Sequence, residues 1–185
     1  MTLLVLDRDG VINEDSDDYI RGLADWHPLP GSIEAIARLS QAGYRIVIAT
    51  NQSGLSRGYF GLDELEEIHQ TLCQLVEERG GRIDGIFYCP HLPDAGCDCR
   101  KPATGLLQAI EQELGDTLID SYFIGDSLKD LQAARSHGCR PILVRTGKGA
   151  STEQQLNATG VDIDRPQGIP VYDNLALAAD AILAA

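Results

Sequence analysis

Nowhere in these 185 residues does an apolar run approach the ~20 residues of a membrane-spanning helix. The N-terminus has no basic stretch and no cleavage site of the kind that marks an export signal; strand-forming residues begin at position 2. Positive charge is scarce, with 15 basic residues against 28 acidic ones and a net charge of −13. A field of that sign repels nucleic-acid phosphates and anionic lipid surfaces. There is also no internal repeat, no low-complexity segment and no linker between two cores. These absences predict one domain over residues 1–185, in the cytoplasm, with neither nucleic acid nor membrane as partner. A small anionic substrate stays compatible, because a metal and a few Arg or Lys invert the potential locally.

What is present alternates. Strand-like runs fall at Thr2–Leu6, Tyr44–Ala49, Ile83–Tyr88, Tyr122–Ile124 and Pro141–Arg145. Helical spacing follows the first four: from Ser32, which suits a cap, to Gly43; over roughly 62–79; over about 104–115; and over about 128–137. The tail reads as a polar stretch (Ser151–Gly168), a short strand Ile169–Tyr172 and an Ala/Leu helix from Leu175. This alternation predicts an α/β fold of three layers, with a mainly parallel sheet between helices. Loops 7–30 and 89–104 are the long connections, and long loops are usually functional.

Polar chemistry gathers after the strands. Asp7 and Asp9 follow the first, Thr50-Asn51 the second, Arg100-Lys101 lies beyond the third, and Asp126 and Asp130 follow the fourth. In a parallel sheet those ends share one crevice. Carboxylates this close repel, and a divalent cation is the simplest way to keep them ionised. A carboxylate can attack phosphorus and form an acyl phosphate, which splits one hard hydrolysis into two easier steps. The transition state spreads charge over three oxygens. Mg²⁺ held by Asp7 and Asp126, the Lys101 ammonium and the Thr50 hydroxyl would meet them. Asp9, two residues from a nucleophilic Asp7, can serve as acid and base.

A second group is denser still. Cys89, His91, Cys97 and Cys99 supply three thiols and an imidazole within one loop. Four such ligands make a closed tetrahedral set for Zn²⁺, with no position left for water. That zinc would be structural and would pin the loop, about 89–101, that ends in Arg100 and Lys101. Free thiols or a disulfide are the alternative, less suited to a reducing compartment. Cys73 reads as a small core residue, His69 as a surface or boundary residue on a glutamate-rich helix, and Trp26 and His27 as packing for the first loop. Asp130 orients Lys101 or a metal-bound water, or is an exposed first-turn carboxylate. Gly147-Lys148-Gly149 reads as a loop that borders the pocket, with no helix clearly following.

Asp7-Arg8-Asp9-Gly10-Val11, Thr50-Asn51, Lys101-Pro102 and Gly125-Asp126-Ser127-Leu128-Lys129-Asp130 resemble the four motifs of the haloacid dehalogenase superfamily of phosphatases. Thr50-Asn51-Gln52-Ser53-Gly54 with Arg57-Gly58, and Cys89-Pro90-His91 with Cys97-Asp98-Cys99-Arg100-Lys101-Pro102, are similar to the D,D-heptose 1,7-bisphosphate phosphatases within it. The resemblance implies a Rossmann-like core with no large cap domain, which fits a monomer. It implies Mg²⁺-dependent removal of the 7-phosphate of a small phosphorylated sugar during nucleotide-heptose synthesis. It makes Asp7 the nucleophile and Asp9 the proton donor, with Mg²⁺ on the Asp7 and Asp126 carboxylates and the Asp9 backbone carbonyl. Thr50 and Lys101 would stabilise the phosphoryl group, and Arg100 would recognise the substrate. Asp15, Ser16, Asp17, Asp18, Asn51, Gln52, Ser53 and Ser127 would line the pocket, and Arg57 either meets the second phosphate or faces solvent. Two other readings stand beside this one: a histidinol-phosphate phosphatase, and a zinc-stabilised binding module without activity.

Overall fold

The computed structural model describes residues 2–159 and 168–185. Six strands form one sheet in the order β3-β2-β1-β4-β5-β6. These are β1 (Leu3–Leu6), β2 (Arg45–Asn51), β3 (Gly85–Cys89), β4 (Tyr122–Gly125), β5 (Arg140–Val144) and β6 (Val171–Tyr172). Every neighbouring pair is parallel. The helices are α1 (Ser32–Gln41), α2 (Leu62–Glu77), α3 (Gly105–Leu114), α4 (Leu128–His137), α5 (Gly149–Thr159) and α6 (Leu175–Leu183).

Side-chain alternation along the strands builds two cores. Leu4 and Leu6 of β1, Ile46 and Ile48 of β2 and Ile124 of β4 pack with Ile36 and Leu39 of α1, Ile68 and Leu72 of α2 and Ala178 and Ile182 of α6. Leu3, Val5, Val47, Ala49 and Phe123 point the other way, onto Leu107 and Ile110 of α3 and Ala133 and Ala134 of α4. Each such Leu or Ile is almost wholly removed from water, a gain of roughly 1.5–3 kcal/mol apiece. The first strand is therefore apolar on both faces because both faces are covered. Trp26 of the first loop is 4% exposed and joins the α1 core.

Several local expectations change. Ser32 is the first residue of α1, and the cap position is Gly31 at φ 77°. The Ser32 hydroxyl instead donates to the Ile12 carbonyl at 2.6 Å, which ties the long loop to the helix. Cys73 is half-buried at the edge of α2 and is no core residue. A helix, α5, does follow Gly147-Lys148; its weak amphipathicity hid it within a polar stretch. The remainder of that stretch, 160–167, lies outside the described residues.

The sheet grows outward from β1 in both directions, to β2 and β3 on one side and to β4, β5 and β6 on the other. The strand order reverses between β1 and β4, which opens a crevice at their carboxyl ends. Asp7 and Asp126 are the residues immediately past those two strands. Among the described residues there is one sheet and no helix long and apolar enough to cross a membrane.

Candidate active site

Asp7 continues the β1 ladder, with its N–H donating to the Ile124 carbonyl at 3.0 Å. Its side chain is then delivered to the switch point at 8% exposure. Lys101 reaches it from the far loop. The Lys101 Nζ donates to Asp7 Oδ1 at 2.8 Å, to Asp130 Oδ1 at 2.6 Å and to the Ala49 carbonyl at 2.8 Å. All three donors of the ammonium are thus spoken for. Burial opposes a charge on Lys101, but Asp130 and Asp7 overcome it and raise its pKa.

Asp130 is buried, so it is not a solvated first-turn carboxylate. Its other oxygen, Oδ2, accepts from the backbone N–H groups of Asp126 (3.2 Å) and Ser127 (3.1 Å) and from Ser127 Oγ (2.8 Å). This capping box starts α4 and spends the carboxylate on Lys101 and on the helix end. Ser127 therefore acts first as a helix cap, although it also lines the cleft.

Oxygens of Asp7, Asp126 and Asp130 lie within 4.8 Å of one another. Burial and the Asp130 charge push Asp7 up to about 7, against the pull of Lys101. Burial and then Asp7 push Asp126 up to about 8. A divalent cation would remove that repulsion, so the donor set fits one. Asp7 and Asp126 are the better ligands, since the oxygens of Asp130 are already occupied. Asp126 Oδ2 accepts from the Lys148 N–H at 2.8 Å, and the Asp126 carbonyl accepts from Thr152 Oγ1 at 2.8 Å. Close backbone approach makes this possible. Gly10 has φ +84° and Gly147 has φ +56°, and a Cβ on either would run into the Asp126 carboxylate.

Asp9 has a different environment. Its Oδ1 accepts from Arg8 Nε at 2.8 Å and from Asn13 Nδ2 at 2.9 Å; its Oδ2 accepts from Gln52 Nε2 at 3.0 Å. Burial alone would raise its pKa, but Arg8 with these hydrogen bonds holds the carboxyl below the usual range. Gln52 also donates to Thr50 Oγ1 at 2.9 Å, which links the two motifs. Asn51 works on the backbone: its amide donates to the Lys101 carbonyl at 3.1 Å, and its Oδ1 accepts the Lys101 N–H at 3.0 Å. That two-way bond registers the Lys101 loop against the end of β2.

The Cys/His group assembles just before Lys101. Cys99 Sγ lies 3.0 Å from Cys89 Sγ, His91 Nδ1 3.2 Å from Cys99 Sγ, and Cys89 Sγ 3.7 Å from Cys97 Sγ. None of the three is in a disulfide. Burial and the neighbouring thiols push Cys99 up to about 12, whereas hydrogen bonds from the Arg100 N–H and the neighbouring thiols bring Cys97 down to about 7. The donor set of the cluster suits a closed four-ligand metal site.

A cleft of about 680 Å³ opens over these groups. Asp7, Asp9, Asp15, Ser16, Asp17, Thr50, Asn51, Gln52, Ser53, Arg100, Lys101, Asp126 and Ser127 all line it. Asp18 and Arg57 do not; Asp18 lines a shallower neighbouring hollow, and the exposed Arg57 guanidinium lies 5.8 Å from the Tyr19 ring centre. Lys148, in the loop read as bordering the pocket, lines the wall, and the structure adds Lys129, Ser151, Thr152 and Gln155. Those from α5 were hidden with that helix. Lys129 was legible only as the residue before Asp130. Burial, then Arg100 and Lys148, depress the Lys129 pKa, so three cations crowd one wall. Lys148 Nζ also pairs with Asp15 at 3.4 Å across the mouth of the cleft.

A family model described as HAD-hydrolase-like matches residues 98–176. A D-glycero-beta-D-manno-heptose-1,7-bisphosphate 7-phosphatase from Pseudomonas aeruginosa is 53% identical over 182 residues, 98% of each chain. The protein of the same name from Bordetella bronchiseptica is 45% identical over 99% of this chain and 98% of its own. The crystal structure of D,D-heptose 1,7-bisphosphate phosphatase from B. bronchiseptica, complexed with magnesium and phosphate, superposes with a TM-score of 0.91, covering 100% of this chain and 99% of that one at 45% identity. The chain belongs to the D-glycero-beta-D-manno-heptose-1,7-bisphosphate 7-phosphatase family of haloacid-dehalogenase-like hydrolases.

Proposed function

We propose that this chain is a phosphoric monoester hydrolase that removes the 7-phosphate of D-glycero-D-manno-heptose 1,7-bisphosphate, with the β anomer as substrate, during nucleotide-heptose synthesis in the cytoplasm. The observation that carries this reading is the placement of Asp7 beside Lys101 and Asp126 at the switch point, in a chain similar over nearly its whole length to phosphatases of that name. One haloacid-dehalogenase-like domain, acting as a monomer, is sufficient for it.

An Asp7 carboxylate oxygen attacks phosphorus, and the bond from phosphorus to the sugar oxygen breaks. The leaving oxygen takes a proton from Asp9. Water then attacks the aspartyl phosphate and gives its proton back to Asp9; the bond from phosphorus to Asp7 breaks and phosphate leaves. The hydrogen bonds on Asp9 favour its ionised form, the form that the second step requires. The dianionic phosphate arriving beside it raises its pKa for the first. Mg²⁺ on the Asp7 and Asp126 carboxylates and the Asp9 carbonyl would supply charge neutralisation for the phosphoryl oxygens. The Thr50 hydroxyl donates to the same oxygens, and the Lys101 ammonium, held beside Asp7, offers them its positive charge. Zn²⁺ on Cys89, His91, Cys97 and Cys99 would hold the loop that presents Arg100 and Lys101.

The phosphate that is not cleaved meets Arg100, and Lys129 and Lys148 extend that cationic wall. An alternative substrate with one phosphate, such as histidinol phosphate, would leave those cations unmatched. The test is a turnover screen of sugar mono- and bisphosphates against histidinol phosphate with Mg²⁺ supplied. Preference for the heptose bisphosphate is expected; faster turnover of histidinol phosphate would overturn the reading, and no turnover of any would favour a binding module.

A further inference from the structure

Arg8 separates the two carboxylates in sequence, yet its side chain runs away from the cleft and is 0% exposed. Its Nε donates to Asp9 Oδ1 at 2.8 Å. Its Nη1 lies 3.1 Å from Nε2 of His69 on α2, 61 residues along the chain. Arg8 also begins the turn that follows β1: its carbonyl accepts from the Ile12 N–H at 2.8 Å. The guanidinium is thus fixed at both ends and at its root.

Contrary to the surface position that its glutamate-rich helix suggests, His69 is buried, at 8% exposure. The guanidinium is always protonated, so Arg8 is the donor and His69 Nε2 the acceptor. The ring is therefore neutral, with its proton on Nδ1. Burial, and then the Arg8 charge, push the His69 pKa down to about 4, in keeping with that tautomer. A neutral acceptor here matters, because an ammonium or imidazolium would repel Arg8 out of its alignment.

Neither Arg8 nor His69 lines the cleft. The pair still has a consequence for the reaction. A guanidinium held only by Asp9 could rotate about its last bond and take the carboxylate with it. Anchored by His69, it presents Nε to Asp9 from one fixed direction. Asn13 and Gln52 supply the other directions. Proton transfer to a leaving oxygen depends on such alignment.

We propose that His69 is a positioning residue for catalysis, acting through Arg8 to fix the Asp9 carboxyl toward the leaving oxygen. This rests on the acid/base reading of Asp9 given above. Asn at position 69 is too short to reach Arg8 Nη1, whereas the Gln amide oxygen falls near the place of Nε2. Both are polar and helix-compatible, so the two variants differ mainly in that contact.

The experiment measures kcat/KM with Mg²⁺ supplied, over phosphate monoesters whose leaving groups run from nitrophenols to simple alcohols. Poor leaving groups need the acid; good ones do not. Asp9→Asn is the reference and should steepen the dependence on leaving-group basicity. His69→Asn should steepen it in the same sense, with about tenfold lower kcat/KM for alkyl esters and roughly twofold or less for nitrophenyl esters, a fraction of the full general-acid effect because Asn13 and Gln52 remain. His69→Gln should restore the wild-type slope. If Asp9→Asn steepens the dependence but His69→Asn does not, or if His69→Asn and His69→Gln lose activity equally across all leaving groups, the positioning role is overturned. If Asp9→Asn itself leaves the slope unchanged, the acid reading falls and this proposal falls with it.

Discussion

Lys101 Nζ donates to Asp130 Oδ1 at 2.6 Å, and through this contact a lysine from an irregular loop is fixed by the first turn of α4, 29 residues later. The bond holds the ammonium against Asp7, the proposed nucleophile, where charge would develop on phosphoryl transfer. It also leaves Asp130 no free oxygen for the proposed Mg²⁺ site. Buried ion pairs of this kind are strongly damaging to break, because the partner left behind stays charged.

Lys101→Met should therefore act twice. Turnover is expected to fall by about 3–4 kcal/mol of transition-state stabilisation, as for a removed oxyanion donor. Stability in magnesium-free buffer should also fall, since Asp7 and Asp130 lose their shared cation. Single-turnover kinetics and thermal unfolding read the two effects separately. Asp130→Asn should lower kcat with little change in KM.

Asp7→Asn should abolish turnover and leave the fold intact, with an unfolding midpoint in magnesium-free buffer at or above that of the parent chain. Burial and repulsion disfavour the Asp7 charge, so removing it relieves strain in the site. Measurable hydrolysis by this variant would exclude Asp7 as nucleophile.

The pH dependence of stability has a definite sign. Asp7 at about 7 and Asp126 at about 8 are raised above the ordinary carboxylate value, so the folded state binds their protons more tightly than the unfolded chain does. Stability from these two groups is fully present below about pH 4 and is lost as pH rises through about 7 to 8. Asp9, depressed, contributes the opposite slope only below the ordinary carboxylate range. Unfolding midpoints in magnesium-free buffer should thus fall between pH 5 and 8, and Mg²⁺ should flatten that fall. Dialysis rather than a chelator is the way to remove Mg²⁺, because a chelator would also strip the cysteine site.

Metal analysis of the purified protein should find about one zinc per chain, bound by a closed tetrahedral set. Cys97→Ser should lose it, loosen residues 89–101 to proteolysis and lower kcat through Lys101. A protein that carries no zinc and is fully active would remove the structural role assigned to the cluster.

Lys148→Ala should raise KM for the bisphosphate about tenfold, the loss of one hydrogen bond to a charged group. It should change KM for a monophosphate of the same sugar little, since only the distal phosphate meets that wall. Equal effects on both would place Lys148 at the reacting phosphate instead.

Much of this site is legible in the amino-acid sequence, for a physical reason. Asp7, Thr50 and Asp126 each end a strand, and parallel strands bring their carboxyl ends to one edge whatever the rest of the chain does. Apolar runs such as Leu3–Leu6 need two covered faces, which requires helices on both sides. The four Cys and His side chains of the 89–99 loop are close in sequence, so their chemistry needs little tertiary information. The helix expected over about 128–137 coincides with α4, which Gly138 closes.

Other features were settled only by packing. His69 lies among glutamates in sequence, yet the rotation of α2 against the sheet turns it inward, onto Arg8. The bond from the Lys148 N–H to Asp126 forms because Gly10 and Gly147 let two loops meet there, a crossing that no local pattern encodes. Asp130 could cap, pair or coordinate, and its bonds to Lys101 and Ser127 decide among the three. Sequence by itself thus determined which chemical groups stand at the strand ends, because where an apolar strand run stops is a local property of the chain. Tertiary structure decided which of their atoms remain free to act, because that depends on the partners each one meets across the fold.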